Sequence, residues 1–266
     1  MKEILKKYSI KPSKRLGQNF LIDKNVLKKI IEAAELKPDD IVLEIGPGLG
    51  ILTLELAKRV KKVIAVEKDR RMCDILFEML DVRNVRNVEI VNQDILKFDP
   101  YTLCPKPYTL VANLPYYITS PVIRKFLECN ITRPRYMILM VQKEVAQRIC
   151  AKPPRMNILA VAVQFYARPE IINYVSRNSF WPQPKVDSAI IKIIPKPIPK
   201  INTEKFFQLV KSGFSSKRKM LKNNLSSTSL GARKIEKILK KIGLNPKIRA
   251  ENLTINDWLR LYNENL

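Results

Sequence analysis

The chain has 266 residues, 46% of them hydrophobic, enough for one large domain with a packed core or for one domain plus a small appendage. Its 49 Lys and Arg against 25 Asp and Glu leave +24, a self-repelling surplus that points to a polyanion, nucleic acid first, as the usual partner; a solvated lysine-rich surface accounts for some of it. There is no histidine, and Cys73, Cys104, Cys129 and Cys150 show no CxxC spacing, so zinc fingers, histidine-dependent triads and histidine-ligated metals are excluded.

The four cysteines read as reduced, mostly buried thiols. The stretch MKEILKKYSIKPSKR has no apolar h-region or small-residue cleavage site, and no apolar run approaches the ~20 residues of a membrane span. A soluble, cytoplasmic protein is the expectation. After a basic arm (1–24), NVLKKIIEAAEL places apolar residues at 26, 27, 30, 31, 34 and 36, which is helical spacing. Strands and helices then alternate: IVLEIG (41–46) a strand, ILTLELAKRV (51–60) a helix, KVIAVE (62–67) a strand, RRMCDILFEML (70–80) a helix, VEIVNQD (88–94) a strand. YTLVANL and RYMILMVQ (135–142) are further strands around the helix SPVIRKFLE. The alternation predicts a mostly parallel sheet with helices on both faces and ligands beyond the carboxyl ends of its strands. KEVAQRICA and NILAVAVQFYA read as helices, EIINYV and SAIIKII as closing strands. PKPIPK (195–200) holds three prolines in six residues and cannot continue a sheet. It is the expected linker between an α/β domain (1–194) and a small helical domain (201–266), with helices expected over 203–213, 216–225, 232–242 and 254–263. That tail has 14 Lys or Arg against 5 Asp or Glu, a net +9.

The chemistry gathers at the strand ends. EIGPGLG sets Gly46, Gly48 and Gly50 directly before a helix, where glycine lets the backbone turn tightly and approach a ligand near the helix's positive end. A dinucleotide fingerprint beginning at Gly46 would need glycine at position 51, which is Ile51. The GxGxG spacing instead resembles the methionine-end loop of S-adenosylmethionine-dependent methyltransferases. Glu67 ends the second strand, where an acid can accept both ribose hydroxyls, and Asp94 ends the third, where a carboxylate can accept from the exocyclic amine of adenine. The next strand ends in Asn113-Leu114-Pro115-Tyr116. An adenine N6 amine is a poor nucleophile because its lone pair is delocalised, and two acceptors aimed at its N–H groups favour the more localised transition-state geometry. The Asn113 side-chain oxygen and the Leu114 carbonyl suit that task, Pro115 stiffens the turn, and Tyr116 offers a stacking face for an extruded base. Thr119 and Ser120 read as caps of the following helix.

RLGQNFL, EIGPGLG, VEKD, NQDIL, NLPYYITSP, MVQKEVAQR, FWPQPKVDSAI and FSSKRKMLKNNL together resemble the rRNA adenine N6,N6-dimethyltransferase (dimethyladenosine transferase) family nearly end to end. The resemblance implies a Rossmann-like class I methyltransferase fold, a mostly parallel sheet with a small C-terminal all-α domain, and S-adenosyl-L-methionine as cofactor. It implies that Asn19, Leu21, Gly46 and Gly48 contact the cofactor, Glu67 its ribose and Asp94 its adenine. Asn113 would lie between cofactor and target amine, and Phe180 would be a second aromatic face opposite Tyr116. One departure is CAKPPRMNILAVAV (150–163), which has two prolines where the family pattern is glycine-rich.

The implied substrate is two adjacent adenosines in the 3′-terminal hairpin loop of small-subunit rRNA, on a pre-ribosomal particle. The arm (Lys2, Lys6, Lys7, Lys11, Lys14, Arg15) and the cluster Lys217, Arg218, Lys219, Lys222 are expected to meet phosphates, contacts that position rather than specify. In-line attack on a sulfonium methyl needs neither a histidine base nor a metal, and a monomer is the default. Two alternatives remain open at this point: an adenine methyltransferase acting on large-subunit rRNA or DNA, and a non-catalytic assembly or transcription factor on the same fold.

Overall fold

The computed structural model describes residues 8, 10, 12–13, 16–100, 107–128, 133–226 and 231–264. The arm residues Lys2, Lys6, Lys7, Lys11, Lys14 and Arg15, with Cys104 and Cys129, lie outside them. The chain divides into two compact units, Met1–Ala146 with Pro169–Pro195, and Gln147–Arg168 with Lys196–Leu266.

The first unit carries β1 (Phe20–Leu21), α1 (Lys24–Ala33), β2 (Ile41–Ile45), α2 (Ile51–Ala57), β3 (Lys62–Glu67), α3 (Arg70–Val82), β4 (Val88–Asn92), β5 (Thr109–Asn113), α4 (Thr119–Glu128) and β6 (Met137–Gln142). After α5 (Lys143–Ile149) and α6 (Ile158–Tyr166) come β7 (Ala167–Val175), β8 (Phe180–Trp181) and β9 (Ser188–Pro195). Seven strands form one sheet in the order β4-β3-β2-β5-β6-β9-β7. The pairs β2–β3, β3–β4, β2–β5 and β5–β6 are parallel, and β9 runs antiparallel to β6. Successive residues of β2, β3, β5 and β6 are buried almost without a break. Side chains alternate between faces along a strand, so both faces of the central sheet are covered, as a parallel sheet requires. Val26 and Ile30 of α1 and Leu52 and Leu56 of α2 pack with Val42, Val63, Val111, Ile138, Met140 and Ile190 in one apolar core.

Strand order reverses between β2 and β5: the chain builds outward through β3 and β4, then returns to add β5 on the other side of β2. In open α/β sheets that switch point is where ligands bind. The glycine loop follows β2 and Asn113 ends β5, so both flank it. A separate two-stranded ladder pairs Phe20 with Trp181 and Leu21 with Phe180.

Residues 147–168 were expected within the methyltransferase domain, but the structure groups them with the second unit. The reason lies in α6, whose sequence ILAVAVQFY has no polar face and must be enclosed by other helices. Its Phe165 ring sits 4.8 Å from that of Phe206 in α7 (Thr203–Gly213) and 5.3 Å from that of Phe207. The second unit continues with α8 (Leu221–Leu225), α9 (Ala232–Lys241) and α10 (Ile255–Asn263), the last closed by a Thr254–Asp257 capping box. The helix expected over 216–225 is therefore shorter at its start. Residues 216–220 form a turn, and the buried Asn224 amide holds it by donating to the carbonyls of Gly213 and Ser216. Thr119 is also not the cap expected: α4 grows directly out of a 3₁₀ turn at Tyr116–Ile118, and the Thr119 hydroxyl is buried without a partner. No helix among the described residues is long and apolar enough to cross a membrane.

An acid lies in the core of the first unit. Glu44, in β2, is 1% exposed, and its Oε2 has no hydrogen-bond partner. Burial pushes its carboxyl from the ordinary 4.5 up to about 8, with the Thr53 hydroxyl acting against the rise and the Glu67 carboxylate adding to it. Because the folded value lies above the unfolded one, the associated stability is complete below pH 4.5 and is lost as pH climbs through about 8. Thermal unfolding followed across that window should show the wild type losing several degrees relative to Glu44→Gln as pH rises. Parallel Tm profiles for the two proteins would rule this out.

Candidate active site

A cleft of about 210 Å³ opens at the carboxyl ends of the strands, and every site residue expected from the sequence lines it: Asn19, Leu21, Gly46, Gly48, Glu67, Asp94, Asn113, Leu114, Pro115, Tyr116 and Phe180. Its floor is the glycine loop. Gly46 has φ +66°, a conformation side chains rarely adopt, and a Cβ there would meet no atom within 4 Å. That open space is where a ligand can approach the main chain. Gly50 is constrained from the opposite side, because a Cβ on it would run into Leu76 of α3.

Glu67 is held in place by main-chain groups of the protein itself. Its two carboxylate oxygens accept from the Gly48 N–H at 3.3 Å and the Asp69 N–H at 2.8 Å. Burial raises its carboxyl above the ordinary range, and those two N–H groups act against the rise. Asp69 caps α3 by accepting from the Arg71 N–H, and its other oxygen accepts from the Gln18 side chain at 2.9 Å. The segment before β1 is thereby fastened to the ends of β2 and β3. Asp94 accepts from the Leu96 N–H at 3.0 Å and from the Lys68 ammonium at 2.8 Å, and Lys68 is the main reason its carboxyl sits below the ordinary range. Lys68 is a wall residue that sequence reasoning missed; its one signal was its position between Glu67 and Asp69 at a strand end.

Asn113 points in a defined sense. Its Nδ2 donates to the Asn19 carbonyl at 3.2 Å, which leaves Oδ1 to accept. The Asn19 side chain in turn donates to the Gly17 carbonyl at 3.1 Å. The Leu114 N–H donates to the Met140 carbonyl, fixing the peptide that follows Asn113. Tyr116 is partly buried, and its phenol shares a 2.8 Å hydrogen bond with the hydroxyl of Ser188, the first residue of β9. Ser188 was also missed, since a serine opening an apolar strand carries no sequence signal. Phe180, 3% exposed, lines the cleft while packing in the same apolar core as Leu21. It is both a core aromatic and a cleft wall. Tyr117 lines the cleft with much of its ring exposed, lying over Gly17. The departure at 150–163 belongs to the second unit.

The arrangement fits an adenosine-bearing cofactor on observations of its own. There is a main-chain cradle open at Gly46, an acid preset at the end of β3 and a second at the end of β4. A buried Glu44 oxygen without a partner also lines the cleft.

The model of the family described as ribosomal RNA adenine dimethylase matches residues 10–265. Ribosomal RNA small subunit methyltransferase A of Dehalococcoides mccartyi is 44% identical over 270 residues, spanning 98% of this chain and 90% of the relative. Among solved structures, a dimethyladenosine transferase from Plasmodium falciparum superposes with a TM-score of 0.80 at 31% identity, covering 92% of this chain and 96% of that one. The 23S rRNA methyltransferase ErmE superposes with a TM-score of 0.76 at 32% identity, covering 92% and 98%. With a match that runs from the segment before β1 to the last helix, over a cleft built as such an enzyme requires, the chain belongs to the ribosomal RNA adenine dimethylase family.

Proposed function

We propose that the protein dimethylates the N6 amines of two adjacent adenosines in the 3′-terminal hairpin loop of small-subunit rRNA, on a pre-ribosomal particle in the cytoplasm. The observation that carries this reading is the Asn113 amide, whose Nδ2 is committed to the Asn19 carbonyl so that Oδ1 faces the reaction as an acceptor. S-Adenosylmethionine bound in the cleft supplies the methyl group on its sulfonium. Asn19, Leu21, Gly46 and Gly48 hold its methionine end, Glu67 its ribose hydroxyls and Asp94 its adenine amine. Asn113 Oδ1 and the Leu114 carbonyl accept the two N–H groups of the target amine, so that its lone pair is aimed along the line of transfer. Tyr116, fixed through Ser188, and Phe180 supply the aromatic faces that hold an extruded base. No side chain has to remove a proton before attack, which accords with a chain that contains no histidine. All of these residues come from one chain, so a monomer suffices.

The small subunit is preferred as substrate because relatives named for it reach 45% identity over 98% of the chain, against 32% for ErmE. Exposed Lys217, Arg218 and Lys219 in the second unit are free to meet phosphates, whereas Lys222 is paired with Glu236 at 2.7 Å.

Incubation with labelled S-adenosylmethionine and unmodified small ribosomal subunits should place label on two adjacent adenosines of the 3′-terminal hairpin. Label confined to large-subunit RNA or DNA would refute the substrate, and no transfer at all would leave a binding factor. Asn113→Ala should lower the transfer rate by at least about 10²-fold with cofactor binding still measurable by calorimetry; unchanged transfer would refute its role. Ser188→Ala should lower transfer several-fold without altering cofactor affinity, because it frees the Tyr116 ring. Loss of cofactor affinity in parallel would instead make Ser188 a purely structural residue.

A further inference from the structure

We propose that Tyr174, backed by Lys143, is a stacking platform for a base of the substrate RNA adjacent to the extruded adenosine. The inference rests on the reading above that the substrate is RNA.

Along β7, exposure alternates, and Arg168, Glu170, Ile172 and Tyr174 are the outward residues, with Ile172 39% and Tyr174 51% exposed. β7 is the last strand of the sheet order, and among the described residues no further strand covers its edge. A single exposed aromatic needs no explanation, but this one is held from one side. The Lys143 ammonium sits 5.3 Å from the ring centroid, within cation–π range, while half of the residue's surface remains in solvent.

The pair is tied to the target pocket through the main chain. Lys143 directly follows Gln142, which pairs with Ser188 across β6 and β9. Ser188 holds the Tyr116 phenol, and the Lys143 N–H donates to the carbonyl of its neighbour Asp187 at 2.9 Å. Lys143 and Tyr174 therefore stand beside the same strand ends that carry the pocket wall. Arg177 and Lys185, both exposed, lie on the segment that leads from β7 to Phe180 and on past it. The Arg177 N–H donates to the Asp187 carboxylate at 3.1 Å, and its guanidinium reaches the Lys185 carbonyl.

Extruding one adenosine leaves its neighbours without a stacking partner on that side. An aromatic ring beside the strand ends that carry Ser188 supplies a replacement, and it accepts any base because every base has a π face. Nearby cations suit the phosphates flanking such a base, which favours RNA over a protein segment as the occupant. Tyr174 thereby extends the site from one nucleotide to two and acts on RNA affinity, not on the transferred methyl.

The test is direct titration of the unmodified 3′-terminal hairpin RNA against wild type, Tyr174→Ala, Tyr174→Leu, Tyr174→Phe and Lys143→Ala, with cofactor affinity measured for each. Tyr174→Ala and Tyr174→Leu should weaken RNA binding about tenfold, the size expected for one lost base–aromatic stack. Tyr174→Phe should retain affinity within about twofold, Lys143→Ala should fall between, and cofactor affinity should not move. Wild-type RNA affinity in Tyr174→Leu, or a full loss in Tyr174→Phe, would overturn the platform. Methyl transfer by wild type to small subunits is scored in parallel. Its absence overturns the substrate reading, while the ranking of RNA affinities still decides the platform.

Discussion

A primary amide has a donor end and an acceptor end of nearly equal shape, and the chemistry expected at the end of β5 depends on which faces the cleft. In this protein the choice is made by a main-chain carbonyl 94 residues earlier, that of Asn19. That carbonyl is itself fixed: the Asn19 side chain closes on Gly17, and the next two residues pair with Phe180 and Trp181. Gln18 reaches Asp69, and Asp69 helps hold Glu67. The segment before the first helix thus works as a strap across the strand ends, setting the orientation of Asn113 and the position of Glu67 together.

Charge divides the molecule's two ligands. The protein carries +24 overall, yet Glu44, Glu67 and Asp94 all line one cleft. Carboxylates that line a cleft of a basic protein favour a small cationic ligand there over a polyanion. A sulfonium cofactor and an RNA chain can then occupy neighbouring places without competing. The acids are not left to repel one another: Glu44 is buried to the point of neutrality at ordinary pH, Glu67 is met by main-chain N–H groups, and Asp94 is paired with Lys68.

Much of this was legible in the sequence because each part of it follows a local rule. Apolar runs of five or six residues make doubly buried strands, and the residues that end them, Gly46, Glu67 and Asn113, arrive at one edge of the sheet as a consequence of parallel pairing. What escaped depends on contacts between distant segments. The two-residue strands at Phe20 and Phe180 are too short to show a period. Ser188 gains its role only because Tyr116 lies opposite, and the Lys68–Asp94 pair joins two strand ends that are neighbours only in the folded sheet. The grouping of 147–168 with the second unit was missed because prolines at 195–200 mark where a sheet stops, not where a helix without a polar face finds cover.

The pairing of β1 with β8 also has a consequence in time. The cleft is lined by residues 16–21, by Phe180 paired beside them, and by Tyr116 as steadied by Ser188. During synthesis from the N-terminus, the glycine loop and the acids at the ends of β3 and β4 emerge first, but the β1–β8 ladder needs residues 180–181 and the Tyr116–Ser188 hydrogen bond needs residue 188. A growing chain can present the strand ends before the cleft has all of its walls, which are in place only when the first unit is nearly complete.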